Sequence, residues 1–205
     1  MLIGVTGQIG AGKSELCHLF EKFGARILDA DKIGKSVSGS PEILSILEDK
    51  FHANLRTPSG RMSRLKIASV VFSDPTGKAL ETLNKIVHPE LVRRLKSESA
   101  RLIRKNPDQP VVIDAALLPQ WKDISSSFDL IALVTAPEEL RLIRLKRRGV
   151  SAKDAWARIK NQLPLTAYDK ISDVTIVNDG YRKSLRKKAR SIWNECIATA
   201  IPSRH

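Results

Sequence analysis

The feature that most constrains this chain is a glycine-rich segment near its beginning, GQIGAGKS at Gly7–Ser14, which follows the apolar run MLIGVT. Its spacing is that of the P-loop pattern G-x-x-x-x-G-K-[S/T], whose backbone N–H groups surround phosphate oxygens. Apolar residues then recur at helical spacing up to Gly24, a residue typical of a helix end. The pattern therefore predicts a strand, a phosphate-binding loop and a helix N-terminus in that order.

The loop chemistry assigns separate roles to its residues. Lys13 would place a positive charge at the outer phosphates, and Ser14 would offer a hydroxyl to Mg²⁺. A dinucleotide-binding loop is excluded because that fingerprint needs a glycine where Glu15 stands. A glycine-rich turn that binds nothing is the weaker alternative, since the motif arises by chance in about one chain of this length in a hundred. The residues expected to bind the nucleotide are Gly7, Gln8, Ile9, Gly10, Ala11, Gly12, Lys13, Ser14 and Glu15.

Length and composition indicate a globular protein of one α/β unit with appendages. The chain has 205 residues, of which 42% are hydrophobic and 28% charged. We expect no signal peptide, and no apolar run approaches the ~20 residues that a membrane span needs. Cys17 and Cys196 are too few and too far apart to suggest a disulfide framework or a metal site, which favours a cytoplasmic protein.

The positive charge is concentrated in two segments. The whole chain has 35 Lys and Arg against 22 Asp and Glu, a net charge of +13. Residues 138–165 hold eight basic against three acidic side chains, and residues 181–205 hold seven against one. A protein with this charge is expected to meet a polyanion, either a nucleotide or a nucleic acid.

A second strand is predicted at Ala25–Asp29, followed by a candidate functional carboxylate. Carboxyl ends of parallel strands form the edge where α/β sheets bind ligands, which draws attention to Asp31. The same residue could simply cap the next helix. The residues alone leave these two interpretations equal.

The segment from residue 40 to residue 105 lacks strand signals and is predicted to be helical. Ser40-Pro41, Ser63 and Asp74-Pro75 are typical helix starts, and His88-Pro89 predicts a break with Pro89 opening a new helix. A crossover between neighbouring parallel strands needs only one helix. The excess therefore indicates an inserted subdomain, for which we expect a role in binding the acceptor substrate.

Three further strands complete the predicted sheet, at Pro110–Ala115, Leu130–Thr135 and Val174–Asn178. They are nearly continuous in apolar residues, as parallel strands buried on both faces are. Asp114 ends the first of them like a Walker B carboxylate, which helps to hold Mg²⁺. Because Ala115 follows it rather than an acid, an ATPase that activates water is disfavoured.

A basic helical hairpin is predicted between the last two strands. Its first helix runs from Pro137 to Gly149 and carries Arg141, Arg144 and Arg148 on one face, where guanidiniums could clamp phosphates as a lid. A solvated basic face is the alternative. Ser151 and Asp154 predict a capped second helix with three inward residues, Trp156, Ile159 and Leu163. The last helix, at Arg182–Ala200, is expected to pack through Leu185, Ala189, Ile192, Trp193 and Cys196.

These landmarks together resemble the dephospho-coenzyme A kinase family, and the resemblance runs nearly end to end. The P-loop alone is not specific, whereas ILDAD, His-Pro and the Arg144-xxx-Arg148 pair come much closer to this family. In chain order the landmarks are GQIGAGKS, ILDAD at Ile27–Asp31, Arg64, Phe72, His88-Pro89, VVIDAALL, Arg144, Arg148, Gln162, Asp173 and Asn178.

The resemblance implies a P-loop kinase fold, with a five-stranded parallel sheet of order 2-3-1-4-5. It implies transfer of the ATP γ-phosphoryl to the ribose 3′-hydroxyl of dephospho-CoA. The implied organisation is a core at 1–35, 108–136 and 166–205, an acceptor subdomain at 36–107 and a lid at 137–165. The implied roles are Asp31 orienting or deprotonating the hydroxyl, Lys13, Arg144 and Arg148 neutralising the phosphoryl group, Ser14 and Asp114 holding Mg²⁺, Asn178 near the adenine, and Arg64, Phe72, His88, Pro89 and Leu117 binding the acceptor.

The chain departs from the family pattern at several positions. The segment Asp114–Gln120 reads DAALLPQ, without the usual proline and acid, Tyr168 stands where a lysine is usual, and Ser172 replaces an alanine. These departures concern the acceptor pocket and one basic contact. Two alternatives stay open: a kinase of this fold for another nucleoside, nucleotide or sugar alcohol, and a nucleic-acid-binding P-loop protein. We expect small-molecule substrates, and no nucleic acid, membrane or obligate protein partner.

Overall fold

The structure is a computed structural model. It describes the backbone of residues 1–200 and the side chains of those residues except 122, 123 and 196–200. None of the helices in this described part combines the length and the apolar character needed to cross a membrane.

Helices and strands follow the order that the sequence predicts, including the helical insertion between the second and third strands. The strands are β1 (Leu2–Gly7), β2 (Arg26–Asp29), β3 (Val111–Asp114), β4 (Leu130–Thr135) and β5 (Val174–Val177). The helices of the described residues are α1 (Lys13–Lys22), α2 (Ala30–Ser38), α3 (Pro41–Phe51), α4 (Arg64–Phe72), α5 (Lys78–Lys105), α6 (Lys122–Ser125), α7 (Glu138–Arg147), α8 (Ala152–Lys160), α9 (Leu165–Asp169) and α10 (Arg182–Ala200). A short 3₁₀ turn lies at Leu118–Gln120.

The strands form one parallel sheet in the order β2-β3-β1-β4-β5, which confirms the predicted order. Every residue of β1 is buried, as expected for a strand with a parallel neighbour on each side. In the register, Val5 of β1 lies beside Asp114 of β3, and Asp29 of β2 lies beside Asp114. The carboxyl ends of β1, β2 and β3 therefore lie at one edge of the sheet.

Helices α1 and α10 pack on one face of the sheet and form the main core with it. The predicted stripe of α10 is buried at Leu185, Ala189, Ile192 and Trp193, while the side chain of Cys196 lies outside the described ones. The Trp193 ring centroid is 5.7 Å from that of Phe20 on α1. Helix α1 ends where predicted, because Gly24 follows it with φ of 115°.

The chain divides into two compact units. One contains residues 1–29 and 98–205, and the other contains residues 30–97. The second unit has its own apolar core around Leu44, Leu47 and Leu55. Two of its predicted helix starts are confirmed: Ser40 precedes α3 with Pro41 at its first position, and the Ser63 side chain accepts a hydrogen bond from the Lys66 N–H at the start of α4.

The break predicted at His88-Pro89 was wrong, because α5 runs without interruption from Lys78 to Lys105 with Pro89 inside it. A proline costs a helix interior about 3 kcal/mol, since it removes a hydrogen bond and crowds the preceding turn. Here Val87, Leu91 and Leu95 are buried on both sides of the proline. Their spacing of four residues continues one apolar stripe across Pro89, and its burial offsets that cost.

Two smaller expectations also differ. The helix predicted to start at Asp74-Pro75 begins at Lys78, because the Asp74 carboxylate accepts hydrogen bonds from the N–H groups of Thr76 and Ala79 and forms a turn first. In α8, Ile159 faces inward as expected, but Trp156 is 40% exposed. Ala155 takes the inward position beside it.

Candidate active site

The P-loop joins the end of β1 to the first turn of α1. Its last glycine, Gly12, precedes α1 with φ of 113°, a value that only glycine adopts without strain. A Cβ at Gly12 would lie 2.1 Å from Asn178 Nδ2, so a larger residue would displace that side chain. The first turn of a helix leaves N–H groups without partners in the helix and carries the positive end of its dipole, which makes this loop a suitable anion site.

Lys13 forms an ion pair with Asp114, which confirms that the P-loop and the end of β3 lie together. The side chains are 16% and 15% exposed, so the pair is shielded without being sealed from solvent. Ser14, the next residue, is exposed on the first turn of α1. A hydroxyl and a carboxylate are oxygen ligands of the kind that Mg²⁺ prefers, usually together with phosphate oxygens and water.

Arg144 of α7 contacts the P-loop directly. Its Nη1 donates to the carbonyls of Gly10 and Ala11, at 3.0 and 2.9 Å, and its Nη2 donates to Asn178 Oδ1 at 3.1 Å. Burial, and then the nearby charge of Arg148, lower the pKa of Arg144. In this structure Arg144 therefore lies against the carbonyl side of the loop rather than extending into solvent.

Asn178 follows β5 and is 6% exposed. Its Nδ2 donates to the Ala11 carbonyl at 2.8 Å, while its Oδ1 accepts from Arg144. The resemblance implies a place near the adenine for this residue. In the structure this side chain also connects the P-loop to Arg144 of α7.

The phosphate clamp of three arginines predicted for α7 was wrong for Arg141. This residue is 4% exposed and donates to the Ile9 carbonyl and to Gln8 Oε1, at 2.9 and 2.6 Å. Its Nη2 also donates to Gln162 Oε1 at 3.1 Å. Its Nε and both of its terminal nitrogens are therefore used inside the protein, because the inward face of α7 packs on the P-loop.

Sequence reasoning gave Gln162 a place among the landmarks but no role. Its Oε1 accepts from the Ile9 N–H at 2.7 Å as well as from Arg141. A glutamine just after α8 carries no local signal for such a contact. The signal that could have suggested it is the arginine-rich hairpin itself, because an arginine that is buried there needs hydrogen-bond acceptors nearby.

Several predicted nucleotide residues are not brought into this network. Arg148 is exposed beyond the last turn of α7, and Glu15 lies in the first turn of α1, 3.8 Å from the exposed Arg182. Leu117, a predicted acceptor residue, is 36% exposed just before the 3₁₀ turn that follows β3.

The other predicted acceptor residues lie in the unit of residues 30–97. Asp31 is exposed in the first turn of α2, and Asp29, rather than Asp31, directly precedes that helix. Arg64 and Phe72 are the first and last residues of α4, about 12 Å apart along its axis, and Phe72 is 80% exposed.

The two predicted acceptor residues of α5, His88 and Pro89, differ in their exposure to solvent. His88 is half-buried, and burial lowers its pKa below the ordinary value. Pro89, which follows it, is exposed.

A P-loop on a five-stranded parallel sheet of order 2-3-1-4-5, with an arginine-bearing helical hairpin after β4, defines a P-loop kinase fold. Comparison with known proteins narrows this class. The family model described as CoaE, dephospho-CoA kinase, matches residues 1–184. The chain belongs to the dephospho-CoA kinase family.

Individual relatives agree with this assignment to the family. A dephospho-CoA kinase of Carboxydothermus hydrogenoformans is 35% identical over 194 residues, which cover 93% of this chain and 92% of the relative. One of Streptomyces avermitilis is 34% identical, covering 97% and 95%. Among solved structures, dephospho-CoA kinase from Campylobacter jejuni superposes with a TM-score of 0.72 at 21% identity, over 98% of each chain, and supports the fold.

Proposed function

We propose that this protein transfers the γ-phosphoryl group of ATP to the ribose 3′-hydroxyl of dephospho-CoA, giving CoA and ADP. The observation that carries the proposal is the P-loop at the start of α1, with Lys13 paired to Asp114 and Arg144 bonded to the loop. This arrangement places two cationic side chains at the loop that would bind a nucleotide's terminal phosphates. We infer the acceptor, dephospho-CoA, from the chain's membership of the family.

On the donor side, the protein needs to position charge rather than form a covalent intermediate. In phosphoryl transfer the bond from the γ-phosphorus to the bridging oxygen breaks as the bond to the acceptor oxygen forms. Negative charge spreads over the transferring group and the leaving ADP. We assign its neutralisation to Lys13, Arg144 and Arg148, and the binding of the phosphates to the backbone of residues 7–15. Asn178 would contribute at the adenine end.

Ser14 and Asp114 would hold Mg²⁺, which supplies further positive charge to the phosphate oxygens when it is bound. Their hydroxyl and carboxylate oxygens suit this ion. Among the described residues, no group of three or more His, Cys, Asp or Glu side chains forms a metal site. A site completed by nucleotide phosphates and water agrees with that donor set.

On the acceptor side, we assign to Asp31 the orientation of the 3′-hydroxyl and the removal of its proton. Exposure of Asp31 in the first turn of α2 leaves its carboxylate accessible to a substrate. We assign contacts with dephospho-CoA to Arg64, Phe72, His88, Pro89 and Leu117.

In this proposal residues 36–107 are the acceptor subdomain, residues 137–165 the lid, and residues 1–35, 108–136 and 166–205 the core. We expect the reaction to take place in the cytoplasm, with small molecules as the only obligate partners.

An acceptor panel tests the proposal. Purified protein is incubated with ATP and Mg²⁺ and either dephospho-CoA, adenosine, AMP, shikimate or a sugar alcohol, and products are identified by mass spectrometry. We expect kcat/KM for dephospho-CoA to exceed every other acceptor by at least about a hundredfold, because a site that hydrogen-bonds a particular substrate rejects analogues that leave it unpaired. A Lys13→Met protein purified in parallel measures contaminating kinase. Faster phosphorylation of another acceptor would contradict the proposal.

A further inference from the structure

Among the described residues, Arg141 is a buried cation without an acidic partner. It is 4% exposed, and among the described residues no carboxylate lies within ion-pairing distance of its guanidinium. Burial lowers the pKa of Arg141, and the charge of Glu138 only partly offsets this effect. Burying a charge costs several kcal/mol unless it is well hydrogen-bonded. The contacts that this residue makes should therefore explain its place.

Those contacts are directed at one short segment of the P-loop. Arg141 Nε donates to the Ile9 carbonyl at 2.9 Å, and Nη1 donates to Gln8 Oε1 at 2.6 Å. Gln8 and Ile9 are the two residues that precede Gly10, where the loop turns with φ of 77°. A planar guanidinium suits this task, because its donors point in fixed and separate directions.

The remaining donor closes a network around the same segment. Arg141 Nη2 and the Ile9 N–H both donate to Gln162 Oε1, at 3.1 and 2.7 Å. The other end of the Gln8 side chain donates from Nε2 to the Leu163 carbonyl at 3.1 Å. Both backbone polar groups of Ile9 and both ends of the Gln8 amide are therefore held by α7 and by the residues after α8.

Close backbone packing supports the same contact independently. A Cβ at Gly10 would lie 2.9 Å from the Arg141 carbonyl oxygen and 3.0 Å from its Cα. Nothing larger than glycine fits between the loop and α7 without movement. The helix and the loop are thus fixed to each other by shape as well as by hydrogen bonds.

We propose that Arg141 is a positioning residue for ATP: with Gln162, it holds Gln8 and Ile9 so that the P-loop is formed before the nucleotide binds. This inference rests on the proposed function only in naming ATP as the ligand. Loss of the arginine would free the loop, and ATP would have to order it again on binding. The acceptor does not bind this loop in the proposed function, so its affinity should not change.

Calorimetric binding of ATP, measured with Mg²⁺ and without acceptor, tests the inference apart from activity. We expect Arg141→Gln and Arg141→Lys each to raise the Kd for ATP by about tenfold or more, the amount that one charge-assisted hydrogen bond supplies. Lysine should not restore binding, because one ammonium cannot replace three directed donors. Lys146→Gln, at an exposed position of the same helix, is the matched control and should bind ATP as the wild type does.

A second variant guards against simple misfolding. Gln162→Leu removes the acceptor shared by Ile9 and Arg141, and it should raise the Kd in the same direction. The double variant Arg141→Gln, Gln162→Leu should be clearly less than additive, since both changes break one network. In turnover, the KM for ATP should rise while the KM for dephospho-CoA stays within twofold.

Two results would overturn the inference. The first is a Kd for ATP within twofold of wild type in both Arg141→Gln and Gln162→Leu. The second is an equal rise of both KM values in variants whose circular dichroism and Tm are those of wild type. Failure of the proposed function has a different signature, namely wild-type protein that binds ATP but forms no CoA.

Discussion

Several candidate functional side chains around the P-loop and several in the unit of residues 30–97 lie in opposite environments. Around the P-loop, Arg141 and Asn178 are 4% and 6% exposed. Arg141 donates to a backbone carbonyl and to two side-chain amides, and the Asn178 side chain donates to a backbone carbonyl and accepts from Arg144. In the unit of residues 30–97, Asp31 and Arg64 are exposed and Phe72 is 80% exposed. Arg141 and Asn178 on the donor side are held by hydrogen bonds within the protein, whereas Asp31, Arg64 and Phe72 on the acceptor side face solvent.

Substitutions in these two environments should therefore have different consequences. A change in a connected buried network leaves neighbouring polar groups unsatisfied, so it should alter both ligand affinity and stability. A change at an exposed side chain has few neighbours to disturb and should affect only the step in which that side chain takes part.

Asp31→Asn is the sharpest test on the exposed side. If Asp31 removes or orients the hydroxyl proton, the substitution should lower kcat by about 10²–10⁴-fold, the usual range for a general base. Stability and the Kd for ATP should stay unchanged, because the carboxylate is exposed and lies outside the P-loop. Asp49→Asn, an exposed acid on α3, serves as the control. Asp31→Asn protein with normal steady-state turnover would remove the residue from the mechanism.

Gly12→Ala tests the buried network. Alanine at φ of 113° costs about 1–2 kcal/mol of unfolding free energy, and its Cβ would also lie 2.1 Å from Asn178 Nδ2. We expect the Kd for ATP to rise about tenfold or more together with a lower Tm.

Gly24→Ala separates backbone strain from the clash in that experiment. Gly24 has nearly the same φ, 115°, but a Cβ there would have nothing within 4 Å. This variant should lose similar stability and bind ATP normally. Equal loss of ATP affinity in both variants would show that strain alone accounts for the effect.

Phe72→Ala should have a smaller and more selective effect. An aromatic ring that is 80% exposed contributes little to the stability of the folded state. The free energy of unfolding, measured with denaturant, should therefore change by no more than about 0.5 kcal/mol. If the ring contacts dephospho-CoA, the KM for that substrate should rise several-fold while the KM for ATP is constant. Leu65→Ala, which removes an 84% exposed side chain from the same helix, should change neither. A shift in the KM for ATP would count against the assignment.

The smallest effect is expected at Cys17, whose thiol should hardly react with a labelling reagent while the protein is folded. Burial in the core raises the pKa of its thiol from 9.0 to about 12, which lowers the thiolate fraction near pH 8 by about a thousandfold. In a Cys196→Ser background, DTNB should label Cys17 only as the protein unfolds.

The same shift predicts a pH dependence of stability. Between pH 9 and about 12 the unfolded chain would lose a proton that the folded chain keeps, so stability should fall as pH rises through this window. Rapid DTNB labelling of the native Cys196→Ser protein at pH 8 would show that Cys17 is accessible, and it would contradict the burial from which this pH dependence is derived.

Local patterns predicted the parts of the fold that depend on nearby residues. The P-loop, the helix end at Gly24 and the helix starts after Ser40 and Ser63 follow from short-range geometry, and all appear where expected. The strand order came from the resemblance rather than from the residues. Patterning alone does not choose among the possible arrangements of five parallel strands.

The two larger errors, at Pro89 and at Arg141, arose where burial decided the outcome. Proline is a strong local signal for a helix break at Pro89, but the stripe of Val87, Leu91 and Leu95 continues through it and could have indicated one helix. An arginine on a basic helix looks solvated in sequence. The inward position of Arg141 depends on acceptors supplied by residues 8, 9 and 162, which no local pattern reveals.

The most direct test of the central claim follows one labelled phosphoryl group. Wild-type protein is incubated with dephospho-CoA, Mg²⁺ and ATP carrying ³²P at the γ position, and the label is located in the products. We expect one label on the ribose 3′-hydroxyl of CoA for each ADP formed. Label released as inorganic phosphate while dephospho-CoA is recovered unchanged, or label at another hydroxyl, would contradict it.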